Sequence, residues 1–361
     1  MKKVGVLGGT GAIGKRVLEI LDKDYELFAS YHKNQPDRNR NALFTQLDIM
    51  NRNELKSFCQ NCDAIVNCAG ASYLNGEIIA QVAAELNIPL IDPSGESFLE
   101  DKLFSTNDKN IFVLSSGCFP GMTGILMNYL CLKMDQVIEM SGMSISTEIP
   151  SISAIEDFIL TGTTGFGMPL KYYENGEFKR DHREIADEII INNQKFTLQT
   201  YYNVELDRLV KKYRPDKANW FNAIFNNEIM QNMQKAIIVY NSNKSMQEFN
   251  RISHKIQQIF INNQDTSQPF NYLQINVEGI KNGSRICQKA EIHNDSSSMI
   301  SAITAAYAVN AVLNNSIANG IYYAMDIINP ESVIAGMLEQ NIDINISQEI
   351  MGVNDYEEGF I

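Results

Sequence analysis

Between Lys3 and Leu21 the chain reads KVGVLGGTGAIGKRVLEIL, and no other stretch restricts the fold as tightly. Val4, Val6 and Leu7 make a short apolar strand, and Gly8, Gly11 and Gly14 follow at G-x-x-G-x-x-G spacing. Ile13, Val17, Leu18 and Leu21 then recur along one side of a helix. A strand that turns through glycines directly into an amphipathic helix is a variant of the dinucleotide fingerprint. Gly8 permits the sharp turn, Gly11 lets the backbone approach a pyrophosphate, and Gly14 lets the helix pack close to the strand. The helix N-terminus then faces the phosphates, which puts Gly8, Thr10, Gly11, Ala12, Ile13 and Gly14 at the cofactor. The plain alternative is a tight strand-to-helix turn that binds nothing.

Strands and helices alternate beyond this turn. Tyr25 to Tyr31 reads as a second strand, ending where such folds select their cofactor. An acidic residue there would bind the ribose 2′-hydroxyl of NAD. The chain instead offers Ser30, Tyr31, His32 and Lys33, with Arg38 and Arg40 soon after, which favours a 2′-phosphate and therefore NADPH over NADH. A solvated basic loop is the competing reading. Ala42 to Asp48 suggests a third strand, Asn53 to Cys59 a short helix, and Ala64 to Cys68 a fourth strand ending in Asn67, Cys68, Ala69 and Gly70. Asp48 and the 67–70 turn are expected beside the cofactor. A helix from about Gly76 to Leu86 precedes a buried strand, Leu90-Ile91, which runs into Asp92-Pro93-Ser94-Gly95-Glu96. Ile111 to Leu114 forms one more strand, leading into Ser115-Ser116-Gly117-Cys118-Phe119-Pro120-Gly121. This alternation means an α/β, Rossmann-like, doubly wound parallel sheet with ligands at the carboxyl ends of its strands.

Composition narrows the partners. A net charge of -13, with no block of lysine and arginine to offset it, argues against nucleic acid and against anionic membranes. A small-molecule substrate is the expected partner. The first strand follows Met1 with no room for a signal peptide, and no apolar run reaches membrane-spanning length, so a cytoplasmic location is expected. Six cysteines without regular spacing fit reduced thiols. Cys59 and Cys62 form one C-x-x-C that no second pair or histidine cluster completes, so no metal is expected.

From about Val137 the pattern changes. Met143–Ile149, Lys195–Thr200 and Tyr272–Gly279 alternate with period two, with helical stretches near Ile155–Leu160 and Ala218–Ile238 between them. That combination suggests a mixed sheet covered on one face. Asn282-Gly283 between two alternating runs is a hairpin signal. The GTTGFG stretch from Gly162 to Gly167 reads either as a loop closing on a ligand or as an ordinary surface loop. A small-residue helix from about Ser298 to Leu313 follows, then Gly320 to Ala324, and Pro330 opens a last helix through Leu338.

The glycine turn, the N-C-A-G strand end, D-x-S-G-E at 92–96 and G-C-x-P-G at 117–121 together resemble the saccharopine dehydrogenase-like family of NAD(P)-dependent oxidoreductases. The resemblance covers the first 125 residues well and most of the chain loosely. It implies that Asp92, Ser94, Gly95, Glu96, Gly117, Cys118, Pro120 and Gly121 lie beside the nicotinamide and the substrate. Reduction of a C=N bond is implied by the same analogy. Residues 1–125 and about 310–361 would form the dinucleotide-binding domain. Residues from about 126 to 309 would form an α+β substrate and dimerisation domain with a mixed sheet, in a homodimer. Saccharopine-forming members often carry an acidic residue before the proline of the second motif; here Phe119 stands there, which counts against an amino-diacid substrate.

Hydride transfer belongs to the cofactor, so few side chains need reactivity. Cys118 is a candidate lining residue or simply a small buried one. Asp92 and Glu96 are candidates for holding a substrate ammonium or assisting proton transfer, and Asp92 equally for bracing its own turn. His182 and His293 are candidate acids, whereas the pairs Tyr172-Tyr173 and Tyr201-Tyr202 read as packing. A rival constellation is Tyr129 and Lys133 in Y-x-x-x-K with Ser116 thirteen positions earlier, similar to the short-chain dehydrogenases, whose tyrosine donates a proton during carbonyl or C=C reduction. A third reading keeps the fold without catalysis, as an NADPH-sensing protein.

Overall fold

The computed structural model describes residues 1–36, 42–106, 109–163, 166–183, 187–243, 245–264 and 268–351. Arg38 and Arg40 lie outside the described residues, as do two positions of the 162–167 loop. In chain order the first elements are β1 (Lys3–Leu7), α1 (Ala12–Leu21), β2 (Glu26–Tyr31), β3 (Ala42–Gln46), α2 (Arg52–Cys59), β4 (Ala64–Asn67), α3 (Ser72–Leu86), β5 (Leu90–Ile91), α4 (Ser97–Leu103), β6 (Ile111–Leu114) and α5 (Met122–Cys131). There follow β7 (Gln136–Ser146), α6 (Ile152–Thr161), β8 (Gly167–Pro169), β9 (Lys171–Glu174), β10 (Glu177–Arg180), β11 (Glu188–Ile191), β12 (Gln194–Asn203) and α7 (Val204–Tyr213). The remainder comprises β13 (Lys217–Ile224), α8 (Asn227–Asn243), α9 (Met246–Gln264), β14 (Asn271–Lys281), β15 (Ser284–Asn294), α10 (Ser297–Asn314), β16 (Gly320–Tyr323), α11 (Ala324–Ile327), α12 (Pro330–Glu339) and β17 (Asp343–Ile350).

The chain divides into two compact units, one made of Met1–Ile125 and Ser297–Met337, the other of Leu126–Ser296 and the chain from Leu338 on. In the first, seven strands run in the order β16-β6-β5-β4-β1-β2-β3, and every pairing is parallel. Strands buried on both faces need near-continuous apolar runs, and Val4 to Leu7 of β1, Ala64 to Val66 of β4 and all of β6 supply them. Leu7, Ile65, Phe112 and Leu114 join Leu55, Ile79 and Leu99 in a core on the side of α2, α3 and α4. On the other side α1 buries Gly14, Val17, Leu18 and Leu21 and packs along α10. The sheet is therefore doubly wound. Its order reverses at β1, which sends the chain to β2 on one side while β4 lies on the other.

In the second unit ten strands among the described residues form a mixed sheet, with the path β10-β9-β13-β7-β14-β15-β17 and β12 pairing β8, β11 and β13. Among the described residues, β7 and β13 are its one parallel pair. The long hairpin of β14 and β15 turns through Asn282 and Gly283, both at positive φ, 50° and 78°. Helices α6, α8 and α9 pack on one another, and Phe225 after β13 meets Phe260 of α9 edge-on at 5.1 Å.

Two expectations change. Ala218–Ile238 is not one helix: Lys217–Ile224 is an internal strand, and α8 begins at Asn227 after Asn226 Oδ1 accepts the Glu228 N–H at 2.8 Å. Trp220, 2% exposed, fixes the strand by covering Gly142 of β7, where a Cβ would come within 2.2 Å of its ring. The boundaries differ too. The return to the first unit begins with α10 rather than near residue 310, and β17 adds to β15 through an eight-residue antiparallel ladder instead of rejoining the first unit.

Candidate functional site

The glycine turn closes the carboxyl end of β1. Gly8 has φ +75°, and a Cβ there would meet Cys68 O, just past β4, at 2.5 Å. A Cβ on Gly14 would lie 2.3 Å from Gly8 O, so helix and turn touch through backbone alone. Gly11, the N-cap of α1, has ordinary extended backbone, and no side chain caps the helix or brings negative charge into its first turn. Its N–H is already used by Gly8 O at 2.9 Å. Among the described residues no partner is found for the N–H groups of Thr10, Ala12 and Ile13. Uncapped N–H groups at a helix start, with the positive end of the helix dipole behind them, are suited to an anion.

The neighbouring strand ends differ in how free their side chains are. Ser30 is buried and its Oγ accepts the Gly8 N–H at 3.1 Å. Tyr31 is half-buried and Lys33 exposed. Asp48 is exposed; its Oδ1 accepts the Met50 N–H at 3.0 Å, so it serves the turn ahead of α2. Asn67, the last residue of β4, is buried, and past it Cys68 and Ala69 are half-buried and Gly70 (φ +58°) is exposed.

Asp92 is the hub of this end of the sheet. Its side chain is fully buried; Oδ2 accepts Asn67 Nδ2 at 2.8 Å and Ser72 Oγ at 2.7 Å, while Oδ1 accepts the N–H groups of Ser94 at 3.0 Å and Gly95 at 2.8 Å. Burial pushes its carboxyl above the ordinary value, against the pull of those four hydrogen bonds. A carboxylate so enclosed braces the turn and presents no free lone pair to a substrate. Burial, reinforced by Asp92, also drives the Cys68 thiol far above its usual range, which keeps it protonated. Glu96 follows, 4% exposed, at the start of α4.

The turn after β6 leans on the turn after β5. Ser115 (φ +48°) donates its N–H to Gly95 O at 2.7 Å, and Ser116 donates to Asp92 O at 3.2 Å. A Cβ on Gly117 would lie 2.7 Å from Pro93 O, and one on Gly121 (φ +133°) 2.2 Å from Gly117 O. The Phe119-Pro120 bond is cis, and Gly117 N–H reaches Pro120 O at 3.0 Å. Cys118 is half-buried, its N–H held by Ser301 Oγ of α10 at 3.0 Å. Hydrogen bonds thus join Asn67, Asp92, Ser94, Gly95, Ser115 and Ser116 across the turns at the carboxyl ends of β4, β5 and β6.

Other candidates fall elsewhere. His182 and Tyr129 belong to the second unit. His182 is exposed next to Asp181, whose carboxyl Arg183 holds far below the usual carboxylate range. His293, exposed on β15, lies edge-on to Phe270 and Tyr272, with Nε2 3.2 Å from Asn192 Nδ2. Lys133 Nζ sits over the Tyr129 ring, 4.1 Å from its centre. Tyr202 is packed edge-on with Phe178 and its hydroxyl donates to Asp207 Oδ1. Cys59 and Cys62 are buried thiols in the first core, each pushed up to about 12 chiefly by burial. Among the described residues no group of three or more His, Cys, Asp or Glu is arranged to hold a metal, and no helix is long and apolar enough to cross a membrane. Sequence reasoning missed Ser72 and Ser301. A serine at a helix start has no distinguishing signal, and Ser301 lies far along the chain from the turn it holds.

A parallel sheet ordered 3-2-1-4-5-6 from its β3 edge, with a glycine turn and bare helix start at its switch point, is the fold of the NAD(P)-dependent dehydrogenases. The particular fold is that of saccharopine dehydrogenase: the L-Glu-forming enzyme from Saccharomyces cerevisiae superposes with a TM-score of 0.64 at 11% identity, covering 98% of this chain and 100% of that one. The sequence model of the NAD dependent epimerase/dehydratase family matches residues 4–89. Uronate dehydrogenase from Agrobacterium tumefaciens (21% identity, 26% of this chain and 41% of that one, TM-score 0.24) and a wide-type short-chain dehydrogenase/reductase from Veillonella parvula in complex with NADP (17% identity, 25% and 46%, TM-score 0.23) are similar only locally. A comparison with curated proteins finds no match.

Proposed function

We propose that the chain is an NADPH-dependent oxidoreductase that reduces a C=N bond in a small substrate of amino-acid-derived or specialised metabolism, working in the cytoplasm as a homodimer. The observation that carries the reading is the uncapped start of α1, with the N–H groups of Thr10, Ala12 and Ile13 unpartnered above a glycine turn in which Gly8 and Gly14 admit no side chain. Those residues suit a dinucleotide pyrophosphate. Lys33 and Tyr31 at the end of β2 support NADPH over NADH, because a cation there favours a 2′-phosphate. When bound, the nicotinamide supplies or accepts the hydride. The chain's part is to orient and enclose: Asp92 locks the turns after β4 and β5, Cys118 serves as a lining residue, and Glu96 is the carboxyl positioned to hold a proton or a substrate ammonium. The Ser116, Tyr129 and Lys133 alternative draws no support from Lys133, which lies over the tyrosine ring.

Titration of the purified protein with NADPH and NADH, followed by nucleotide fluorescence, tests the reading, with Gly11→Asp as control. That carboxylate at the helix N-cap is compatible with helix formation but repels a pyrophosphate. Tighter binding of NADPH, lost in the variant, followed by NADPH oxidation with cyclic imines, is the expected result. Binding without consumption of NADPH by imines, ketones or enones would point to a sensor. No binding of either nucleotide would sink the proposal.

A further inference from the structure

The glycine turn is held from β2 by one residue. Ser30, 2% exposed, accepts two consecutive N–H groups of the turn: Gly8 N–H through its Oγ at 3.1 Å and Gly9 N–H through its carbonyl at 2.8 Å. From the other side the same turn is pressed against the end of β4, since a Cβ on Gly8 would touch Cys68 O. The Ser30 hydroxyl therefore points into the turn. We propose that Ser30 is a positioning residue that presets the turn for the pyrophosphate, and that it takes no part in choosing between the two nicotinamide cofactors. This rests on the dinucleotide reading of the turn.

The chemistry supports the assignment. With Gly8, Gly9 and Gly11 N–H groups satisfied inside the turn, those of Thr10, Ala12 and Ile13 are left without a partner among the described residues. Without the Ser30 Oγ the Gly8 N–H loses its acceptor, and the cost of leaving that donor unpaired favours a shift of the turn away from the arrangement that leaves the other three N–H groups available. A neutral hydroxyl is also the right acceptor here. A carboxylate would make the same hydrogen bond while placing negative charge next to the phosphate site.

The test measures dissociation constants for NADPH and NADH with the full-length protein, together with Tm, for the wild type and for Ser30→Ala, Ser30→Thr and Lys33→Ala. The expected result is that Ser30→Ala weakens both nucleotides by about tenfold, equal to about 1.4 kcal/mol, and leaves their ratio unchanged. Ser30→Thr, which keeps the hydroxyl, recovers most of the affinity, and Lys33→Ala changes the ratio. Should Ser30→Ala not fold, Ser30→Cys, a poor acceptor of nearly the same volume, gives the same comparison. A lower Tm with both affinities intact would make Ser30 merely structural, and a selective loss of NADPH would make it a reader of the ribose phosphate; either overturns the inference while dinucleotide binding stands. A wild type that binds neither nucleotide overturns both, and is seen before any variant is compared.

Discussion

Single atoms decide much of this site. Gly14→Ala places a methyl group 2.3 Å from Gly8 O, where only backbone is available to yield. We expect a loss of about 1–3 kcal/mol of stability in urea unfolding, with weakened nucleotide binding. Asp92 and Asp181 give opposite pH signatures. Asp92 has a raised folded value, so the folded chain binds its proton more readily than the unfolded one, and stability falls as pH rises from the unfolded to the folded value. Asp181 is held low by Arg183, so its contribution is present above the unfolded value and is lost as pH falls toward the folded one. Urea midpoints followed from pH 7 into the acid range should therefore show a shallower acid loss for Asp181→Asn than for the parent. Asp92→Asn replaces an acceptor of four hydrogen bonds by a group carrying its own donors, and should cost about 1–3 kcal/mol. A normal urea midpoint in Asp92→Asn would show that the hub does not brace the turns. At this scale the sequence disclosed the glycines and the D-x-S-G-E turn, but not that Ser30 faces inward or that Asp92 has no lone pair to spare. Those facts depend on neighbours brought from β1, β4 and α3.

At the scale of elements, turn chemistry was the most readable signal. Asn282 and Gly283 occupy the left-handed region, and nothing lies within 4 Å of a Cβ built on Gly283. Gly283→Ala therefore isolates backbone strain, expected at about 1 kcal/mol in urea unfolding; a neutral result would mean that the hairpin tolerates another turn type. Strands Leu90–Ile91 and Ile111–Leu114 were also readable residue for residue, because buried parallel strands are short apolar runs between breakers. β13 was not. KANWFNAI lies just ahead of a good helical sequence, and the absence of a side chain at Gly142, its partner in β7, makes room for the Trp220 ring. Tertiary packing chose the strand, which local pattern could not show.

For the molecule as a whole, the two-lobe plan followed from the change of period near Val137, whereas the closing segments did not: α10, β16 and β17 are distributed between the units by pairings that span the sequence. Ligand linkage offers a test at this scale. NADPH at a hundred times its dissociation constant should add about 2.7 kcal/mol to the opening free energy of the slowest amides in β1, β4 and β6, measured by hydrogen exchange, and Gly11→Asp should abolish the gain. The seven-stranded sheet also carries a consequence for biosynthesis. β6 pairs with β16, and Leu126–Ser296, the greater part of the second unit, is encoded between them. While the ribosome is still making that inserted unit, the growing chain already carries β1 to β6 but not the strand that covers β6. The nascent first unit therefore waits with a buried-type apolar strand as its open edge. Soluble yield is therefore expected to depend on the speed of translation across the insertion and on chaperones that shield an open strand edge, an order-of-synthesis effect that expression with slowed codons in residues 126–296 would measure.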